Sequence, residues 1–220
     1  MLAFRMRQAA AGAGGDVVLT TLSFRSSATS TAETVTGPSD IEAGDLLVLL
    51  DRARNTSKTG DPGSVVASGF NVIDSAFDSQ NTRQILQYKI ADGSEASATI
   101  TGMVGDETTN KVLLVFQGDV AIGSVSPQDV SSEMTAGNPA SQGITASGGS
   151  APLIVLGCYG SAGAVNPRTW TGGTPSEVNS STITYLLYEI FNSSPSDITI
   201  DMDDEGNDNC LQGCYLECAA

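Results

Sequence analysis

The sequence predicts an all-β protein, an antiparallel, jelly-roll-like β-sandwich built from two pseudo-repeated halves. Three observations predict it. Two distant stretches read as versions of one another, Ile85-Leu86-Gln87-Tyr88-Lys89-Ile90 and Tyr185-Leu186-Leu187-Tyr188-Glu189-Ile190. Both sit in the same order of segments: an aliphatic run before (46–50, 153–156), a Thr/Ile strand after (98–101, 197–200), an acidic Gly-containing loop, then a last apolar strand (112–116, 210–216). Finally, a chain rich in Gly, Ser, Thr, Ala and Val and poor in Lys suits short strands joined by many turns.

A chain of 220 residues can bury a large core, as one β-domain or as two small ones. The repeat favours one, because half a sandwich has an apolar face with nothing to cover it. The expected organisation is an N-terminal arm at 1–15 and a single sandwich domain at 16–220, with pseudo-halves at about 41–118 and 150–218.

Residues 1–15 do not read as a strand. Arg5 and Arg7 bring positive charge to an acidic chain, and 9–15 is small and flexible, which reads as an arm reaching a neighbouring subunit or as a frayed terminus. Residues 17–24 alternate apolar and polar. Gly37-Pro38-Ser39-Asp40 is a turn before the central strand at 46–50. Residues 51–64 read as a long polar contact loop, followed by strands near 70–73, 84–90, 98–101 and 111–117. The Ser/Gly/Pro-rich stretch 118–149 reads as the crossover between halves, with short strands near 121–125 and 143–146 and apolar anchors at Val125, Val130, Met134 and Ile144; an interdomain linker is the alternative. The second half follows with a central strand at 152–160, a loop at 166–176 holding the single tryptophan, Trp170, and strands at 181–191, 197–202 and 209–218.

Charge and composition exclude several function classes. The net charge of −15 repels phosphate backbones and anionic membranes, so nucleic acid and membrane are not expected partners. No apolar run approaches the roughly 20 residues that cross a bilayer as a helix. Residues 9–15 are too weakly apolar for a secretory leader, and the chain reads as soluble and unprocessed. There is no histidine, which removes Ser-His-Asp and Cys-His chemistry and imidazole metal ligands.

An enzyme would have to work with carboxylates, and Asp74, Asp78, Asp201, Asp203 and Asp204 qualify by type alone. Nothing in their spacing fixes a glycosidase pair. The run Asp201-Met202-Asp203-Asp204-Glu205-Gly206-Asn207-Asp208 opens like a calcium loop, but Gln212 stands where the bidentate Glu belongs. It reads as a solvated hairpin turn matching Gly105-Asp106-Glu107. Gly12-Ala13-Gly14-Gly15 precedes a strand rather than following one, so it is no phosphate loop. The sequons at Asn55, Asn179 and Asn192 matter only in a secretory pathway. Cys210, Cys214 and Cys218 are spaced by four, one strand face with neighbours roughly 13 Å apart. That is beyond the about 7 Å that a disulfide allows. They read, with Cys158, as small buried thiols, a bridge from Cys158 being the alternative. No catalytic, cofactor or metal residue is expected.

One ordered series of segments adds a resemblance: Gly44-Asp45-Leu46-Leu47-Val48, Gly69-Phe70 with Ile73-Asp74, Tyr88-Lys89-Ile90 with Glu95, Val115-Phe116-Gln117-Gly118, and Pro152-Leu153-Ile154-Val155. From about Ile41 onward the chain resembles jelly-roll or β-sandwich structural proteins of tailed bacteriophages. It departs from that pattern at Phe70, where the family has Trp, and at Gln117, where it often has Arg. The resemblance implies a non-enzymatic virion protein, a head decoration or cement protein, commonly trimeric. Its expected partners are virion proteins such as the major capsid protein, after assembly in the bacterial cytoplasm. The alternative is a tail or fibre-associated protein reading host glycan through 51–64 and 166–176, with Trp170 stacking on sugar.

Overall fold

The computed structural model describes residues 18–56, 60–78, 81–134, 142–146, 152–161, 168–181, 184–193, 198–204 and 208–220. The proposed arm at 1–15, with Arg5, Arg7 and the glycine run, lies outside them. Among the described residues the structure is all-β. The strands of the first half are β1 (Leu22–Ser30), β2 (Thr34–Thr36), β3 (Leu46–Arg54), β4 (Asn71–Phe77), β5 (Thr82–Ile90), β6 (Thr99–Thr101) and β7 (Thr108–Gly118). Those of the second are β8 (Ser124–Met134), β9 (Gln142–Ala146), β10 (Leu153–Ser161), β11 (Arg168–Thr171), β12 (Ser176–Ser181), β13 (Thr184–Phe191), β14 (Ile198–Asp204) and β15 (Asp208–Ala219).

They form an antiparallel β-sandwich of two five-stranded sheets, ordered β1-β7-β3-β5-β4 and β12-β13-β10-β15-β8. The aliphatic runs are the central strands because both their faces are buried, which is what a continuous apolar run requires. β3 lies between β7 and β5, as β10 lies between β15 and β13. The register repeats too: Val48 faces Tyr88 and Leu114, and Leu156 faces Tyr188 and Cys214.

The two-residue period of a strand divides these side chains between two cores. Leu46, Val48 and Leu50 point inward and meet Ile154, Leu156 and Cys158 in one cluster shared by both halves. Leu47 and Leu49 point outward and are covered by Val35, Ile41, Phe70 and Ile100, from β2, β6 and the adjoining loops. Val155 and Tyr159 are covered by Ile144, Ala146 and Ile200, from the small sheet β11-β14-β9. Each half therefore has its own outer layer, and apolar burial on three levels supplies the stability.

The halves stack with β4 against β8 and with β7 against β12 and β13. At one end Asn192, just past β13, accepts a 2.6 Å hydrogen bond from the Leu22 amide and donates one of 2.9 Å to the Leu22 carbonyl. At the other end Arg52 of β3 meets Gly160 of β10. β3 and β10 therefore run in the same direction while sheet order reverses. The halves are related by an approximate twofold axis along the strands.

Several expectations need correcting. Asp51 to Arg54 are not loop but the end of β3, and Asp51 and Arg52 are buried. β1 begins at Leu22, later than the alternation from residue 17 predicts. The crossover holds a long strand, β8, where only a short one was expected. The expected strand at 181–191 is β13, but a further strand, β12, precedes it, and Trp170 lies in β11 rather than in a loop. The acidic segment at 105–107 is not a hairpin turn: β6 and β7 belong to different sheets, so it carries the chain between layers. Residues 205–207 of the second acidic segment lie outside the described residues.

Candidate functional site: a pinned loop end above a polar tier

The polar loop expected at 51–64 begins only past the end of β3 at Arg54. Asn55 receives the Asp106 amide on Oδ1 (3.1 Å) and donates Nδ2 to the Gly60 carbonyl (3.0 Å). Asp106 in turn accepts from the Thr56 amide (2.5 Å) and hydroxyl (3.1 Å). Asn81 donates Nδ2 to the Asn55 carbonyl (2.7 Å), and Asp78 accepts from the amides of Asn81 (2.9 Å) and Thr82 (3.0 Å). Short Asn and Asp side chains suit this role because they hydrogen-bond nearby backbone in turns. The β3–β4 loop, the β4–β5 turn and the β6–β7 crossing are thus tied into one unit.

Beside it, Arg83 grips Asp61 through Nε (2.8 Å) and Nη2 (2.5 Å), donates Nη1 to Ser75 (2.9 Å) and lies over the Phe77 ring. The hydrogen bonds from Arg83 hold Asp61 below the usual carboxylate range and push the arginine up. The two-pronged guanidinium geometry makes this the most directional ion pair at the loop end. Asp61, Asp78 and Asp106 each accept hydrogen bonds from the protein itself, so they act as struts.

Beneath the loops the inner core turns polar. Gln84 donates to Gln212 (2.7 Å), which donates to Asp74 (2.6 Å), while Ser180 reaches Asn110 (3.4 Å). Arg52 fills the centre of this tier at 1% exposure. Residues in this tier come from both sheets.

The sequence-flagged residues are dispersed. Asp74 faces the interior, Asp78 caps a turn, and Asp201 is exposed on the outer strand β14, so these carboxylates are not a facing pair. Asp203 and Asp204 lie in β14, which pairs with β9 and β11, so the calcium-like opening is extended strand rather than loop. Among the described residues no His/Cys/Asp/Glu group is placed to hold a metal. Trp170 packs against the second-half outer core. The Asn55 and Asn192 amides are engaged with backbone, as above.

All four cysteines are buried and outside any disulfide, and Cys158, Cys214 and Cys218 line the shared core. Burial pushes the Cys158, Cys214 and Cys218 thiols up, Cys218 to about 12. That keeps them as inert thiols.

The sequence reading missed the buried charges of β3 and β7. A signal was present: Asp51 continues the alternation of Leu47 and Leu49, and Lys111 continues that of Leu113 and Val115. No protein-family model, curated protein or solved structure matches the chain.

Proposed function

We propose that the chain is a non-enzymatic structural protein of a tailed-bacteriophage virion, a decoration or cement protein on the head. The observation that carries this reading is the pinned loop end. Loops held by their own side-chain hydrogen bonds lose little freedom on docking, which lowers the entropic cost of a noncovalent contact. The acidic surface and the resemblance in the β3, β5, β7 and β10 segments support the same reading. Major capsid protein is the proposed partner, with a trimer of this chain as the docking unit. Binding would act by mass action, stabilising neighbouring capsid subunits that it bridges. The tail or glycan reading has less support, because the Trp170 it relies on packs against a core.

The test is to image purified particles labelled on this chain. Label on heads is expected, with heads lacking the chain disrupting at lower temperature. Particles free of the chain, or label confined to tails, would overturn the head assignment.

A further inference from the structure

One buried pair has no part in the loop end. Asp51 on β3 and Lys111 on β7 occupy directly facing positions of adjacent strands, and both side chains are 0% exposed. Lys111 Nζ lies 2.6 Å from Asp51 Oδ1 and 3.0 Å from the Met103 carbonyl, while the Met103 amide donates to Asp51 Oδ2 at 2.7 Å. Ala53, Ile85 and Met103 make an apolar cluster beside them, and Gly102 packs against the Asp51 carboxyl.

The second half shows that the fold does not require this pair. The same register positions there hold Tyr159 and Leu211, facing each other between β10 and β15 in an apolar core. Taking two charges out of water is costly, and apolar replacements of buried pairs are often as stable or more so. A lysine amine held against a carboxyl in a dry site also has the proximity that converts a slow bimolecular reaction into an intramolecular one.

We propose that Asp51 and Lys111 form a self-generated isopeptide crosslink between β3 and β7. Nζ passes one proton to Oδ1, leaving a free amine beside a carboxylic acid. The nitrogen lone pair attacks Cγ, and the carbonyl electrons move to Oδ2, where the Met103 N–H stabilises the developing oxyanion. A second Nζ proton passes to the Oδ1 hydroxyl, which leaves as water, and the carbonyl re-forms at Oδ2. One C–N bond forms, one C–O bond breaks, nothing is oxidised, and no co-reactant is needed. Desolvation, outweighing the attraction of Lys111, raises the Asp51 pKa and so favours the acid form that the step uses. The crosslink would fasten the central strand to its neighbour independently of what the protein binds.

The test is the intact mass of the full chain, denatured and reduced, before and after warm incubation at neutral pH. The expected mass is one water below that of the sequence, and a digest should yield a branched peptide joining Asp51 to Lys111. Asp51→Asn should reach the same product by releasing ammonia, and Lys111→Met should keep its full mass. A succinimide at Asp92-Gly93 would also lose water, so a water loss that persists in Lys111→Met, or that lacks the branched peptide, overturns the proposal. So does wild-type chain that keeps its full mass after incubation. The wild-type mass and digest decide the matter even if Lys111→Met does not fold.

Discussion

At the scale of single residues the two halves differ where they touch. Arg52 and Gly160 hold equivalent positions on β3 and β10, and the large side chain of one occupies the space that the missing side chain of the other leaves. A Cβ on Gly160 would lie 2.8 Å from Arg52 Nε and 2.8 Å from Gln84 Oε1. Gly160→Ala should therefore force the polar tier apart and cost about 1–3 kcal/mol, the usual range for overpacking. Urea unfolding would read this as a lower midpoint with an unchanged slope, and an unchanged midpoint would show that Arg52 can move aside. Such complementarity was not legible in the sequence. Arg52 looks like the start of a polar loop until its partner across the sandwich is known.

Among the elements, legibility followed position in the sheet. Central strands β3, β5, β7, β10, β13 and β15 were readable because two flanking strands and two covered faces leave room for little but apolar residues. The edges were not. β8 reads Ser124-Val125-Ser126-Pro127-Gln128-Asp129 and β12 reads Ser176-Glu177-Val178-Asn179, sequences that resemble loops. Polar residues and proline are what exposed edges carry to avoid pairing with other chains. β1 is an edge strand of a different kind, anchored at its start by Asp119. That carboxylate accepts hydrogen bonds from the amides of Thr20 and Thr21, both at 3.1 Å, and from the Thr20 hydroxyl at 2.6 Å. The Thr20 hydroxyl first, then the Thr21 amide, hold its pKa down at about 2. A depressed carboxylate contributes in full above its unfolded pKa of about 3.9 and loses its contribution as pH falls through the folded value. Exchange protection of the Thr20 and Thr21 amides should thus fade between about pH 4 and about pH 2, and Asp119→Asn should remove that step. Protection that stays flat across the window would mean that the anchor lies elsewhere.

For the whole molecule, the shared core is the decisive feature. Its residues come from both halves, so opening one half exposes the inner face of the other. The slowest-exchanging amides of β3 and β10 are expected to report one opening free energy, matching a single transition seen by Trp170 fluorescence. Protection in β10 that is lost well before that in β3 would show that the halves unfold separately. The repeat itself was visible in the sequence as two Tyr-x-Ile strand ends. Its symmetry was not, because sequence order carries no information on which face of one copy meets which face of the other.

That symmetry has a consequence for valency. With β3 and β10 running the same way, the connections that leave them depart from the same end of the sandwich. One molecule thus presents two related strand ends, Arg54 of β3 and Ser161 of β10, at one end of the sandwich. A partner with two matching sites at that spacing would engage the second at a high effective concentration once the first is held. A partner with one site would gain nothing from the duplication.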